Sequence, residues 1–256
     1  MVAAHQRGER LVLVFDYDGT LTPFATRPEL ARLDPGLRCV LARLAATARV
    51  AVGVVSGRTL DDLTAMVDLT GLYYGGTYGL ELDLRGERIA PPETPASALI
   101  RDLIAALEIH LPGYPGAWIE KKPLGLTLHY REVATARIES LRTVTLAALE
   151  PHCAALQVFD GPLAIEVCLA LGVDKGTALR AIVAHASPAQ PALVLYAGDA
   201  ANDAAALTAA VELNGMAVGI GPQPPTAAVQ RLPDPAALGH LLAELDRALT
   251  RNRPSA

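Results

Sequence analysis

Four short runs without a charged residue constrain this chain more than any other feature. They are Leu11-Val12-Leu13-Val14, Val50-Ala51-Val52-Gly53-Val54-Val55, Leu193-Val194-Leu195-Tyr196-Ala197 and Gly215 to Ile220. A continuous apolar run, rather than an alternating one, belongs to a strand covered on both faces. Amphipathic helices interleave with the runs. Leu37 to Ala48 puts Leu37, Val40, Leu41 and Leu44 on one face, with Asp34 placed to cap it and Pro35 in its first turn. Strands and helices in alternation predict an α/β fold with a Rossmann-like parallel sheet. Such sheets bind ligands at the carboxyl ends of their strands.

Those ends carry the chemistry. The first run continues into Phe15-Asp16-Tyr17-Asp18-Gly19-Thr20-Leu21. The spacing i, i+2 points both carboxylates the same way where the strand stays extended. Two close carboxylates repel unless they share a cation or a proton. Asp16 is therefore a candidate nucleophile and metal ligand, and Asp18 a candidate general acid/base. The second run ends in Ser56-Gly57-Arg58, before Thr59-Leu60-Asp61-Asp62-Leu63 opens a helix. A hydroxyl and a glycine there form an anion cradle, or else a plain helix cap. Arg58 either contacts the anion or, preferably, braces the loop. Gly198-Asp199-Ala200-Ala201-Asn202-Asp203 closes the third run, and Asp174-Lys175-Gly176 opens a helix.

Charge narrows the partners. The formal net charge is −5 and lysine and arginine form no run, which argues against nucleic acid or an anionic membrane as partner. An anionic substrate then needs a local lysine or metal. No signal-peptide core or membrane-length run is present, so a cytoplasmic protein is expected. Cys39, Cys153 and Cys168 match neither a disulfide nor a zinc pattern and are expected as buried free thiols.

A stiff segment, Pro91-Pro92-Glu93-Thr94-Pro95, marks a boundary. Before it, Leu72 to Gly76 reads as a strand and Tyr78 to Leu84 as a half-exposed antiparallel strand. Beyond it, helices at 96–111 and 134–149 alternate with strands at Trp118 to Lys122 and Leu126 to Arg131. A closing hairpin turns at Asp160-Gly161-Pro162. This is an α+β unit over 92–170, inserted in a core of 1–91 and 171–256.

The acid, hydroxyl, lysine and acid elements, in that order, resemble the haloacid dehalogenase superfamily of phosphatases. The matching motifs are Asp16-Tyr17-Asp18-Gly19-Thr20, Ser56-Gly57-Arg58, Lys175, and Gly198-Asp199 through Asp203. The resemblance implies Mg²⁺ held by Asp16, Asp199 and the backbone carbonyl of Asp18, with Asn202 and Asp203 holding waters or Lys175. It implies catalysis by Asp16, Asp18, Ser56 and Lys175, and phosphate binding by Ser56, Gly57, Arg58 and Lys175. The alternative for Lys175 is a solvated lysine at a helix start.

Within that superfamily the insertion resembles an α/β cap of the C2 type. Glu120 and Lys122, i and i+2 on one strand, together with Glu166 look like the Glu/Lys/Glu sugar pattern of the trehalose-6-phosphate phosphatase family. Trp118, on the same strand face, is expected to pack rather than to stack on a sugar. The resemblance implies a monomeric phosphoric monoester hydrolase with a small sugar-phosphate substrate. Trehalose 6-phosphate is the first choice, and a glycosyl-phosphoglycerate or hexose phosphate the alternative. The family often has Gly-Asp-Asp where this chain has Gly198-Asp199-Ala200. A non-catalytic, receiver-like phosphate-binding module shares the sheet and pocket but not Asp18 or the insertion.

Overall fold

The computed structural model describes residues 1–25, 27–91, 95–161 and 163–251. In chain order the first segment holds α1 (Val2–Gln6), β1 (Arg10–Phe15), α2 (Pro35–Ala45), β2 (Val50–Val55), α3 (Leu60–Val67), β3 (Tyr73–Gly76), β4 (Glu81–Leu84) and β5 (Glu87–Ile89). The next holds α4 (Pro95–Glu108), β6 (Trp118–Lys122), β7 (Gly125–His129), α5 (Thr135–Leu149), β8 (Leu156–Gly161) and β9 (Ala164–Leu169). The last holds α6 (Lys175–Ala186), β10 (Ala192–Gly198), α7 (Ala204–Glu212), β11 (Met216–Ile220), β12 (Gln230–Leu232) and α8 (Pro235–Arg251). Two compact units result: Met1–Ala90 with Val173–Ala256, and Pro91–Gly172.

The first unit is built on a sheet of order β12-β11-β10-β1-β2-β3-β4-β5. The six strands from β12 to β3 are parallel, and β4 and β5 close the edge antiparallel. The apolar runs are the central strands, and the alternation of side chains explains why none tolerates a charge. Leu11, Leu13 and Phe15 of β1 pack with Leu37, Leu41 and Leu44 of α2, Leu63 of α3 and Leu238 and Leu242 of α8. Val12 and Val14, pointing the other way, pack with Leu179 and Ile182 of α6 and Ala206, Leu207 and Ala210 of α7. Asp34 caps α2 by accepting from Leu37 N at 2.9 Å, which starts the helix where the sequence indicates.

Three local expectations are corrected. The strand predicted from Tyr78 begins only at Glu81. Thr77 and Tyr78 take positive φ (45° and 60°) in a single helical turn. That turn is fixed by bonds from Thr77 N to Arg58 O and from Tyr78 N to Ser56 O, at 2.6 and 2.9 Å. A nonlocal backbone contact here overrides the alternating pattern. Of the cysteines, only Cys168 is buried, whereas Cys39 and Cys153 are exposed. Cys39 lies off the α2 face that buries Leu37, Val40, Leu41 and Leu44, and Cys153 sits in the helical turn after α5. The expected hairpin turn is displaced, since β8 runs through Asp160 and Gly161. Pro162 and the linker residues 92–94 lie outside the described residues.

The second unit is an antiparallel sheet of order β6-β7-β9-β8. Leu126 and Leu128, with Ile165 and Val167 beside them, form its apolar face. Helix α4 packs against β6, β7 and β9 and supplies buried Ile100, Leu103, Ile104 and Leu107. The opposite face carries Trp118, Glu120, Lys122, Thr127, His129 and Glu166, by the period of two.

Candidate active site

At the carboxyl ends of β1, β2 and β10 the expected residues of the first unit converge. Lys175 is the first residue of α6, with Asp174 as a reciprocal cap. A lysine at a helix N-terminus opposes the helix dipole, and here it is drawn in by acids. Its ammonium donates to Asp16 Oδ1 at 2.7 Å, Asn202 Oδ1 at 2.8 Å and Asp203 Oδ1 at 2.7 Å. It is 2% exposed, so the solvated-lysine alternative fails.

Asp203 is the most fully engaged of the acids. Besides Lys175, it accepts from Tyr196 Oη at 2.7 Å and from the backbone N–H groups of Asp199 and Ala200, each at 3.0 Å. Four donors match the capacity of a carboxylate. The side chain therefore shapes the Gly198–Asp203 loop and holds Lys175. Ala200 contributes its backbone N–H, which any residue but proline supplies at that position.

Asp16, Asp199 and Asp203 each offer an oxygen within 4.8 Å of the others. Lys175 offsets one negative charge, and three carboxyl groups share this largely buried, all-oxygen setting. That donor set fits a hard divalent cation. Asp16 Oδ1 is bonded to Lys175 and Asp199 Oδ1 to Thr20 Oγ1 (3.0 Å), so neither carboxylate is saturated as Asp203 is.

Burial raises the Asp16 carboxyl well above the usual range. The Lys175 ammonium opposes this, while Asp203 and Asp199 add to it. Burial, and next the Asp203 charge, push Asp199 up to about 6 against the pull of Lys175. For Lys175 burial works against the charge, but Asp16 and Asp203 outweigh it and hold the ammonium protonated far above its ordinary range. The cluster is thus a fixed ammonium beside acids that resist being ionised together.

Asp18 has a partner of its own. The strand ends at Phe15, so the extended i, i+2 relation does not carry through the motif. Arg58 donates to both Asp18 oxygens at 2.7 Å and to Pro28 O at 2.8 Å, which is the bracing role. Ser56 is 2% exposed and its Oγ accepts from Arg58 N at 3.2 Å. The cap of α3 is Thr59, which accepts from Asp62 N; Ser56 is free of that duty. A Cβ on Gly57 would lie 2.6 Å from the Tyr78 ring and hydroxyl, so only glycine admits the packed tyrosine.

In the second unit Glu120 and Lys122 share a face, with Lys122 Nζ 3.5 Å from Glu120 Oε1. His129 Nε2 lies 2.9 Å from Glu120 Oε2. Trp118 is 37% exposed and stacks on His129, with centroids 4.0 Å apart and planes at 16°. That histidine is its cross-strand neighbour on β7. Glu166 is opposite Thr127 on β9.

Sequence reasoning assigned no role to Thr20, Tyr196 or His129. Thr20 lay within a quoted motif, but Tyr196 was one apolar-strand residue among several and only its contact with Asp203 identifies it.

The trehalose-phosphatase family profile matches residues 14–232. A trehalose-phosphate phosphatase of Mycobacterium tuberculosis is 34% identical over 193 residues, covering 74% of this chain and 48% of that protein. One of Mycobacterium ulcerans is 33% identical over 213 residues, covering 82% and 53%. The chain thus spans about half the length of the curated relatives it matches. The solved C-terminal domain of the Candida albicans trehalose-6-phosphate phosphatase shares the fold, with a TM-score of 0.86 at 21% identity over 96% of this chain and 95% of that one.

Proposed function

The chain belongs to the trehalose-phosphatase family, and from that membership we propose that it hydrolyses trehalose 6-phosphate to trehalose and phosphate, as a Mg²⁺-dependent monomer in the cytoplasm. The observation that carries the reading is Lys175 held by Asp16, Asn202 and Asp203 beside Asp199. Among the described residues no helix is long and apolar enough to cross a membrane.

A phosphate monoester resists attack because its oxygens are anionic. Lys175 neutralises part of that charge from a fixed position that needs no reorganisation. Its bond to Asp16 Oδ1 also orients that carboxylate, leaving Oδ2 to attack phosphorus and form an aspartyl-phosphate. Ser56 Oγ, fixed by Arg58 N, turns its O–H to a phosphate oxygen, and Gly57 N–H assists. Asp18, released from one of its Arg58 bonds and protonated, gives that proton to the leaving sugar oxygen as its bond to phosphorus breaks, and then takes a proton from the attacking water. Asp16, Asp199 and the Asp18 carbonyl are the groups that would hold Mg²⁺, which neutralises charge on the transferring phosphoryl group when bound. The second unit is the cap, with Glu120, Lys122 and Glu166 binding sugar hydroxyls through charge-assisted hydrogen bonds.

Phosphate release with Mg²⁺ is measured on trehalose 6-phosphate, a glycosyl-phosphoglycerate and glucose 6-phosphate. Trehalose 6-phosphate is expected to give the highest kcat/KM. A preference of orders of magnitude for another ester overturns the substrate, and turnover that survives Asp16→Asn overturns the mechanism.

A further inference from the structure

We propose that Thr127 is a sugar-contacting residue, its hydroxyl bonding the ligand between Glu120 and Glu166. Thr127 is 2% exposed, and its Oγ1 is the one buried side-chain polar atom among the described residues that lacks a hydrogen-bond partner. An unpaired buried hydroxyl forfeits its hydration with no return. The strand does not require it, because valine offers the same branched shape and an equal preference for extended backbone. Folding alone therefore leaves this oxygen unexplained.

Its position suggests what completes it. In the sheet register Thr127 pairs with Glu120 on one side and Glu166 on the other. Residues directly opposite across antiparallel strands share a face, with Cβ atoms about 5 Å apart. One row thus reads carboxylate, hydroxyl, carboxylate. Lys122 stands two residues along β6 in one direction, and the Trp118–His129 stack two residues in the other. Acceptors, a two-way hydroxyl, an ammonium and an aromatic face together match a neutral polyhydroxylated ligand with an apolar ring face. The oxygen is screened from solvent in this structure, so the proposed contact requires the side chains around it to turn aside for the ligand.

The proposal rests on the sugar-phosphate reading, and the experiment separates the two. Wild type is first assayed on the sugar-phosphate panel, and the best ester found is then used for the variants alongside p-nitrophenyl phosphate. If that ester is not trehalose 6-phosphate, the substrate reading fails while Thr127 is still tested. Thr127→Val is expected to raise KM for the sugar phosphate about tenfold, the loss of one hydrogen bond. Turnover of p-nitrophenyl phosphate is expected to be unchanged and Tm equal or higher. Thr127→Ser should restore KM, and Thr127→Ala should match the valine variant in KM. An unchanged sugar KM in both the valine and alanine variants, or equal losses on both substrates, overturns the assignment.

Discussion

Arg58 grips Asp18 with two parallel hydrogen bonds, Nε to Oδ2 and Nη2 to Oδ1, each 2.7 Å long. The guanidinium is also tied to Pro28 O, and the Arg58 backbone N–H to Ser56 Oγ. One residue therefore sets the aim of the proposed acid/base and of the loop whose hydroxyl is proposed to bind phosphate. Arg58→Lys keeps the charge but not the fork. Its expected effect is a fall in kcat of tenfold or more on every phosphate ester, with KM for the sugar little changed. Steady-state kinetics on a sugar phosphate and an aryl phosphate check this.

Lys175→Met tests the buried cluster. It leaves Asp16 and Asp203 without their cation, and breaking a buried ion pair costs about 3–5 kcal/mol. Urea unfolding in chelator should show a loss of that order, and added Mg²⁺ should recover more stability than it adds to wild type. A variant as stable as wild type in chelator would contradict the cluster's energetics.

The acids also predict a pH dependence. A carboxyl raised in the folded state stabilises the fold while protonated, and that contribution is lost as pH rises through the folded pKa. For Asp199 the window runs from about 4, its unperturbed value, to about 6. In chelator, wild type should lose stability across that window relative to Asp199→Asn. The Tm gain from Mg²⁺ should grow over the same range, as the cation takes the proton's place. Thermal melts at matched ionic strength measure both.

Lys122→Ala addresses the sugar. Lys122 is 8% exposed and sits beside Glu120. The variant should lose far more turnover on the sugar phosphate than on a small aryl phosphate. Equal losses on both would mean that Lys122 supports the fold rather than the substrate.

The thiols give a chemical check on the corrected burial. Cys39 and Cys153 are exposed, whereas burial pushes the Cys168 thiol up to about 12 despite the Lys122 charge beside it. A disulfide-exchange reagent should titrate two thiols in the native protein and the third only after unfolding.

Much of the candidate site was legible because its parts lie at the ends of strongly marked strands. Asp16, Ser56 and Asp199 each follow an apolar run, so the parallel sheet alone brings them to one rim. Asp34 and Asp174 announced their helices through local capping, which depends on neighbours three residues away. Local pattern failed where distant backbone intervened. Thr77 and Tyr78 look like a strand start, but bonds to Arg58 and Ser56 force them into a left-handed turn. The cysteines carried no such signal, since a small side chain fits a buried or an exposed position alike.

By itself, the sequence determined the α/β class, the central strands and the residue types at their tips, because apolar periodicity and capping act over a few residues. Tertiary structure alone decided the pairings. Lys175 is committed to Asp16 and Asp203, 159 and 28 positions away, and Arg58 to Asp18, 40 away. Charges buried by a fold must find partners wherever the sheet order brings them, and that order is a property of the packed chain rather than of any stretch of it.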